Sequence, residues 1–238
     1  MGVAKTMLAT MAVLTTTMAC STPLSLRGAR VMEPGELEVI VSPQMNVDVL
    51  ATLARSEQRV DRMFAPELSA RFGVADRVDL QLRVDKSILP EISAGYQLVG
   101  DPSRDDDLAV TVTGGLKLSW LLYGPAFFVS VPVQLLTEIP LNHVIAVVGG
   151  LRVVAGAGTD RGGLVFAVSP GLTAGVRCSI GPFVISPELG VATAHASDDL
   201  SVSFLGSNVV PRPLLAASFG LNVGGVFDFQ TLPSKRDR

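Results

Sequence analysis

The chain has 238 residues, 48% hydrophobic and 17% charged, with 23 glycines and a mean hydropathy of +0.44; this excludes a disordered segment and is high for a soluble enzyme domain. The formal charge of −3 becomes −4 if residues 1–19 are removed, because that stretch carries the single charge of Lys5, and an acidic balance excludes a nucleic-acid partner that needs a basic face. No uninterrupted apolar run of about 18 residues follows the N-terminus; the best candidate, 144–158, contains Arg152 and four glycines, so a helical span is not expected. Hydrophobicity spread over many short segments is what strands in a bilayer produce, because only alternate residues face lipid.

Residues 1–20, "MGVAKTMLATMAVLTTTMAC", place one positive charge before an uncharged apolar stretch from Thr6 to Met18, then Ala19 and Cys20, the layout of a secretory signal that is removed. The end of that stretch, Thr17 to Cys20, resembles the lipoprotein signal-peptidase box, with Thr17 where Leu is usual. The resemblance implies that residues 1–19 are a lipoprotein signal peptide and that Cys20 is acylated, palmitate included, and becomes the new N-terminus. It also implies that Ser21 directs sorting to a Gram-negative outer membrane. An acylated Cys20 leaves Cys178 without a partner, so no disulfide is expected and Cys178 is read as a small apolar residue. Residues 20–33 are read as a linker, 34–229 as the folded domain and 230–238 as a polar tail.

From Pro34 onward, segments with period-two alternation are separated by Gly, Pro, Asp and Asn. The spacing predicts strands over 36–42, 67–73, 77–84, 91–99, 108–120, 126–136, 144–155, 164–177, 183–191 and 214–229, with a hairpin at Ala75-Asp76. In 108–120 one face reads Leu108, Val110, Val112, Gly114, Leu116, Leu118, Trp120 and the other Ala109, Thr111, Thr113, Gly115, Lys117, Ser119. The same division appears in 164–177 and 183–191. The polar faces collect Glu38, Arg71, Asp79, Arg83, Glu91, Lys117, Arg152, Arg177, Glu188 and Asp228, five basic and five acidic. Their small residues suit a narrow interior where opposite charges pair. The pattern therefore predicts an all-β fold, a small antiparallel up-and-down barrel of outer-membrane type with about ten strands. Its long connections, about 43–65 and 193–213, should open at one mouth. Pro132, Pro170 and Pro187 fall inside predicted strands and each should need a bulge or a strand boundary.

The last strand contains "NVGGVFDF", residues 222–229. This stretch resembles the β-signal of bacterial outer-membrane proteins: polar at Asn222, glycine at Gly224, hydrophobic at Phe227, aromatic at Phe229. The resemblance implies recognition by the outer-membrane assembly machinery through this strand. Phe219, Leu221, Val223, Phe227 and Phe229 share one side, and the strand should close the sheet on the first one.

Chemistry-bearing patterns are sparse. His143 and His195 lack metal-ligand spacing with Cys, Asp or Glu. The pair His195 and Ser197 resembles the His-x-Ser element of lipid A deacylases, with Asp198 where that family has Asn, and a solvated loop is the preferred reading. Asp101, Asp105, Asp106 and Asp107 lack EF-hand spacing and read as a turn, as does the glycine-rich 156–163. No catalytic residue, cofactor or metal is expected. The expected function is that of a monomeric outer-membrane barrel lipoprotein, in contact with membrane lipid, with a structural, adhesive or sensing role. The alternatives are a periplasmic lipoprotein whose β-sandwich or cup binds a hydrophobic ligand, and a deacylase-like barrel enzyme.

Overall fold

A computed structural model describes residues 24–25, 27–48, 63–84, 90–103, 107–120, 127–160, 163–196, 203–204, 207–208 and 214–229. The strands are β1 (Glu36–Asp48), β2 (Met63–Ala75), β3 (Val78–Val84), β4 (Pro90–Val99), β5 (Ala109–Trp120), β6 (Phe127–Pro140), β7 (Ile145–Asp160), β8 (Gly163–Ile180), β9 (Phe183–Ala196), β10 (Ser203–Phe204), β11 (Ser207–Asn208) and β12 (Leu214–Asp228). Ten of them form a closed antiparallel up-and-down barrel in the order β1-β12-β9-β8-β7-β6-β5-β4-β3-β2, and β10 pairs only with β11. The predicted segments all appear, most of them longer. Residues 156–160, read from sequence as part of a turn, continue β7, and β8 begins at Gly163.

Alternation decides which side of each strand faces in. In β4, Glu91, Ser93, Gly95 and Gln97 are buried while Ile92, Ala94, Tyr96 and Leu98 are exposed. The outside is apolar throughout, with Phe183 67% and Leu189 63% exposed. A β-sandwich would hide these faces in a core. Among the described residues, however, the buried apolar cluster consists of Ala29, Ala109 and Leu136. The sandwich reading fails on this point.

β1 and β12 seal the barrel from Glu36↔Asp228 to Asp48↔Ala216. At this seam Gly224 lies opposite Ile40, and a Cβ on it would overlap the Val39 carbonyl and come within 2.8 Å of Ile40 Cγ1. The prolines are accommodated without the bulges expected. The β5–β6 ladder runs from Ala109↔Glu138 to Gly114↔Val133 and resumes in the same register at Lys117↔Ser130, omitting the rungs of Pro132 and its neighbour Val131. The β8–β9 ladder omits the rungs of Pro170 and Pro187 in the same way. Each proline lacks an N–H on one edge only, and on the other edge Pro132 pairs with Val154, Pro170 with Val153 and Pro187 with Leu221. At the predicted hairpin, the turn is Asp76–Arg77, with Arg77 at φ 65° and a bulge between Gly73 and Ala75.

Both ends of the barrel chain, Glu36 and Asp228, lie at one mouth with the turns 76–77, 100–108, 141–144 and 181–182. The connections 49–62, 85–89, 121–126, 161–162 and 197–213 belong to the opposite mouth, so the two longest share it, as the loop lengths predict. We call these the terminal and loop mouths.

Gly224→Val should cost about 1–3 kcal/mol by overpacking the seam and reduce the folded, heat-modifiable band on unboiled gels. Gly114→Ala, whose Cβ would meet nothing within 4 Å, should leave that band unchanged.

Candidate functional site

The lumen is occupied by the chain's own N-terminal segment. Residues 24–25 and 27–33, which the sequence suggests are linker, run inside the barrel, and Leu24 and Ala29 are fully buried with Arg27 2% exposed. The segment turns into the wall at Pro34–Gly35: Pro34 bridges to Gly73, Gly35 adopts φ 89°, and its amide donates to the Gly73 carbonyl at 3.2 Å. Glycine serves here because the left-handed conformation penalises any Cβ.

Each turn of the segment is held by a wall side chain. Arg27 Nη2 donates to both Asp79 carboxylate oxygens, at 3.0 and 2.8 Å. Glu188 accepts from the Ser25 amide at 2.9 Å and its hydroxyl at 2.7 Å, and Glu138 accepts from the Ala29 amide at 2.8 Å. Thr111 donates to the Ala29 carbonyl, Arg71 to the carbonyls of Gly28 and Arg30, and Arg83 to that of Leu24. Gln97 accepts from the Val31 amide at 3.0 Å. A buried backbone needs such partners because no water competes for its donors and acceptors. At the terminal mouth Arg30 donates to the carbonyls of Asp101 and Asp107 at 2.7 and 3.0 Å. The acidic turn thus caps a cation with its backbone, while the Asp101 carboxylate accepts from Ser103. Asp105 and Asp106 lie outside the described residues.

Small wall residues make the room. A Cβ on Gly95 would fall on the Asp79 carboxylate and within 2.8 Å of Arg27 Nη2, and one on Gly220 would reach Leu24 Cδ1 at 2.6 Å. The small interior expected from sequence is therefore space for a peptide.

The wall's charges pair around the segment. Arg71 meets Glu38 at 2.8 Å and Asp79 at 3.6 Å; Arg177 meets Glu38 at 2.5 Å; Arg152 meets Glu91 at 2.7 Å; Arg83 pairs with Glu67, its Nε at 2.7 Å. Of the ten charges predicted to face inward, nine do, and Asp228 instead is exposed at the end of β12. Its rung lies at the rim, where the inward direction opens to solvent. Sequence reasoning missed Glu67, Glu138 and Arg27. Glu67 opens the predicted strand 67–73 with the inward parity of Arg71, and Glu138 lies two residues past the predicted end at 136 with the parity of Gln134, so alternation could have found both; Arg27 lies where no alternation exists. Among the described wall residues the buried charges are then Glu38, Glu67, Asp79, Glu91, Glu138 and Glu188 against Arg71, Arg83, Lys117, Arg152 and Arg177. These described wall residues carry one excess negative charge, and Arg27 balances it.

The C-terminal motif divides its residues between the two faces. Asn222 points inward and donates to Glu188 at 2.8 Å, whereas Phe227 and Phe229 point outward, and the Phe229 amide donates to the Gly35 carbonyl at 3.2 Å. His143 is exposed in the β6–β7 turn and Cys178 is half-buried with a free thiol. His195 is in β9, and Thr17, Cys20 and Ser197 lie outside the described residues. Among the described residues no group of three or more His, Cys, Asp or Glu is placed to hold a metal.

No family model and no curated protein matches the chain. Solved structures similar to it include Ail, the attachment invasion locus protein of Yersinia pestis, at 12% identity and TM-score 0.38, covering 82% of this chain and 100% of that one. Neisserial surface protein A is similar at 13% identity and TM-score 0.34, covering 82% and 96%. The outer membrane protein OprG from Pseudomonas aeruginosa is similar at 12% and 0.30, covering 83% and 98%. No residue role carries over at this identity.

Replacing Arg27 by Met should leave Asp79 buried with a weaker set of partners and cost about 3–5 kcal/mol, read from urea unfolding of the detergent-solubilised protein through Trp120 fluorescence. Adding Asp79→Asn to Arg27→Met should recover part of that loss.

Proposed function

We propose that the chain is an outer-membrane β-barrel lipoprotein, anchored through Cys20, that acts as a closed scaffold with a structural, adhesive or sensing role. The observation that carries this reading is the pairing of an apolar exterior with a lumen occupied by residues 24–25 and 27–33 and held by Arg27 on Asp79. An exterior bearing Phe183, Leu189 and Ile92 at more than half exposure needs hydrocarbon around it. A filled lumen gives solutes no continuous water path. A role outside the barrel then falls to the loop mouth, where the longest connections are. The C-terminal strand, with Phe227 and Phe229 outward, suits capture by the assembly machinery by strand addition before β1 replaces it.

Purified full-length protein should show no steady open conductance in a planar bilayer, and a steady open level would overturn the closed-scaffold reading. A variant lacking residues 24–33 that retains heat-modifiable migration should conduct and should prefer cations, because the described wall residues then hold six buried acids against five bases. Protein refolded from residue 21 onward, without any acyl group, should still require detergent to remain dispersed.

A further inference from the structure

The wall grips the lumen segment mainly by its backbone. Arg83, Arg71 and Thr111 donate to the carbonyls of Leu24, Gly28, Arg30 and Ala29, while Gln97 and Glu138 accept from the amides of Val31 and Ala29. Main-chain bonds of this kind supply affinity for a peptide and leave selectivity to the few side chains that enter fitted places.

Four positions are read in that way. Arg27 is wholly buried, with Nη2 on both oxygens of Asp79. Ser25 gives Glu188 its hydroxyl as well as its amide. A Cβ on Gly28 would come within 2.5 Å of Glu138 Oε2, displacing the carboxylate that holds the Ala29 amide. Ala29 is itself fully buried against Ala109 and Leu136, which leaves room for a small apolar side chain. The lumen therefore selects the pattern Ser-x-Arg-Gly-small.

The wall holds its half of this arrangement by itself. Glu38 pairs with Arg71 and Arg177, Glu91 with Arg152 and Glu67 with Arg83, all between strands of the barrel. Asp79, Glu138 and Glu188 are the acids that turn oxygens to the segment. A site whose charged groups are positioned by their neighbours loses little order when its occupant leaves, which is what binding in trans requires. The covalent link at Pro34 then contributes a high local concentration, in the mM range for a short tether.

We propose that the lumen is a peptide-binding site, that its ligand class is a peptide without regular secondary structure carrying Ser-x-Arg-Gly-small, and that residues 24–33 are its tethered occupant, so that a free peptide of the same pattern can take their place. This goes beyond the closed-scaffold reading and depends neither on acylation of Cys20 nor on the membrane. In the intact chain the tethered segment excludes competing peptides; weakening its Arg27–Asp79 contact admits them.

The experiment uses the full chain with a protease site inserted between Glu33 and Pro34, folded in detergent before it is cut, and a fluorescein-labelled peptide of residues 24–33 added in excess. The cut segment is expected to stay with the barrel through gel filtration and to exchange for labelled peptide. The same peptide with Arg27→Met should bind at least about 100-fold more weakly. Asp79→Asn in the barrel should bring the two peptides to within a few-fold of each other, a coupling that adhesion to detergent or to the outer wall would not show. Departure of the segment on cutting without uptake of labelled peptide overturns the proposal, as does a retained segment that never exchanges, or equal binding of the two peptides to the Asp79 barrel. If the inserted site prevents heat-modifiable folding, the uncut Arg27→Met chain replaces it. The labelled wild-type peptide should then bind that variant and not the uncut wild-type chain, and binding to both or to neither is decisive against the proposal. Neither readout involves conductance, so failure here leaves the closed-scaffold reading to its own bilayer test.

Discussion

The barrel depends on the burial of Arg27 against Asp79. Among the described residues, five other basic side chains line a wall that holds six acidic ones, and in a low-dielectric interior an uncompensated carboxylate is costly enough to reshape its surroundings. The missing charge comes from outside the strands, on a peptide that also brings backbone donors for Glu138, Glu188 and Gln97. The same segment neutralises the wall, satisfies its acceptors and fills its volume. The inward glycines follow from this requirement, since side chains at Gly95 and Gly220 would occupy the space of Arg27 and Leu24.

Outside, the constraint is the opposite. Apolar side chains project from every strand, and no second protein layer covers them among the described residues. Such a surface is stable in hydrocarbon, where closure is also required because an open edge would leave backbone groups unpaired. The β1–β12 seam meets that requirement with a long ladder in a single register, interrupted only at the Ser42 and Pro43 rungs. Proline is tolerated in this closed sheet because each ring interrupts the ladder on one edge for two rungs while the strand on its other edge keeps its pairing. Loss of a single hydrogen bond costs less than a register shift that would turn every side chain inside out.

The two mouths differ in what they bring together. At the terminal mouth, backbone carbonyls of the β4–β5 turn hold Arg30, Gly35 turns the plug into β1, and the end of β12 closes onto that same corner through Phe229. One corner thus joins the plug, the first strand and the last. The seam therefore closes where the N-terminal segment enters, so that seam closure and plug docking share residues.

The strands, their inward and outward faces, the closing role of the last strand and nine of the inward charges were legible in the sequence, because alternation is local: a period of two shows which residues share a face without knowing what lies across from them. The sequence by itself therefore determined a closed two-faced sheet. Tertiary structure alone decided what fills it. Arg27 lies in a stretch with no periodicity, and its partner Asp79 is far along the chain, so no local pattern could join them. Only the wall's curvature brings Asp79, Glu138 and Glu188 around one peptide, since the need for that peptide arises from a charge imbalance that exists only once all ten strands face each other.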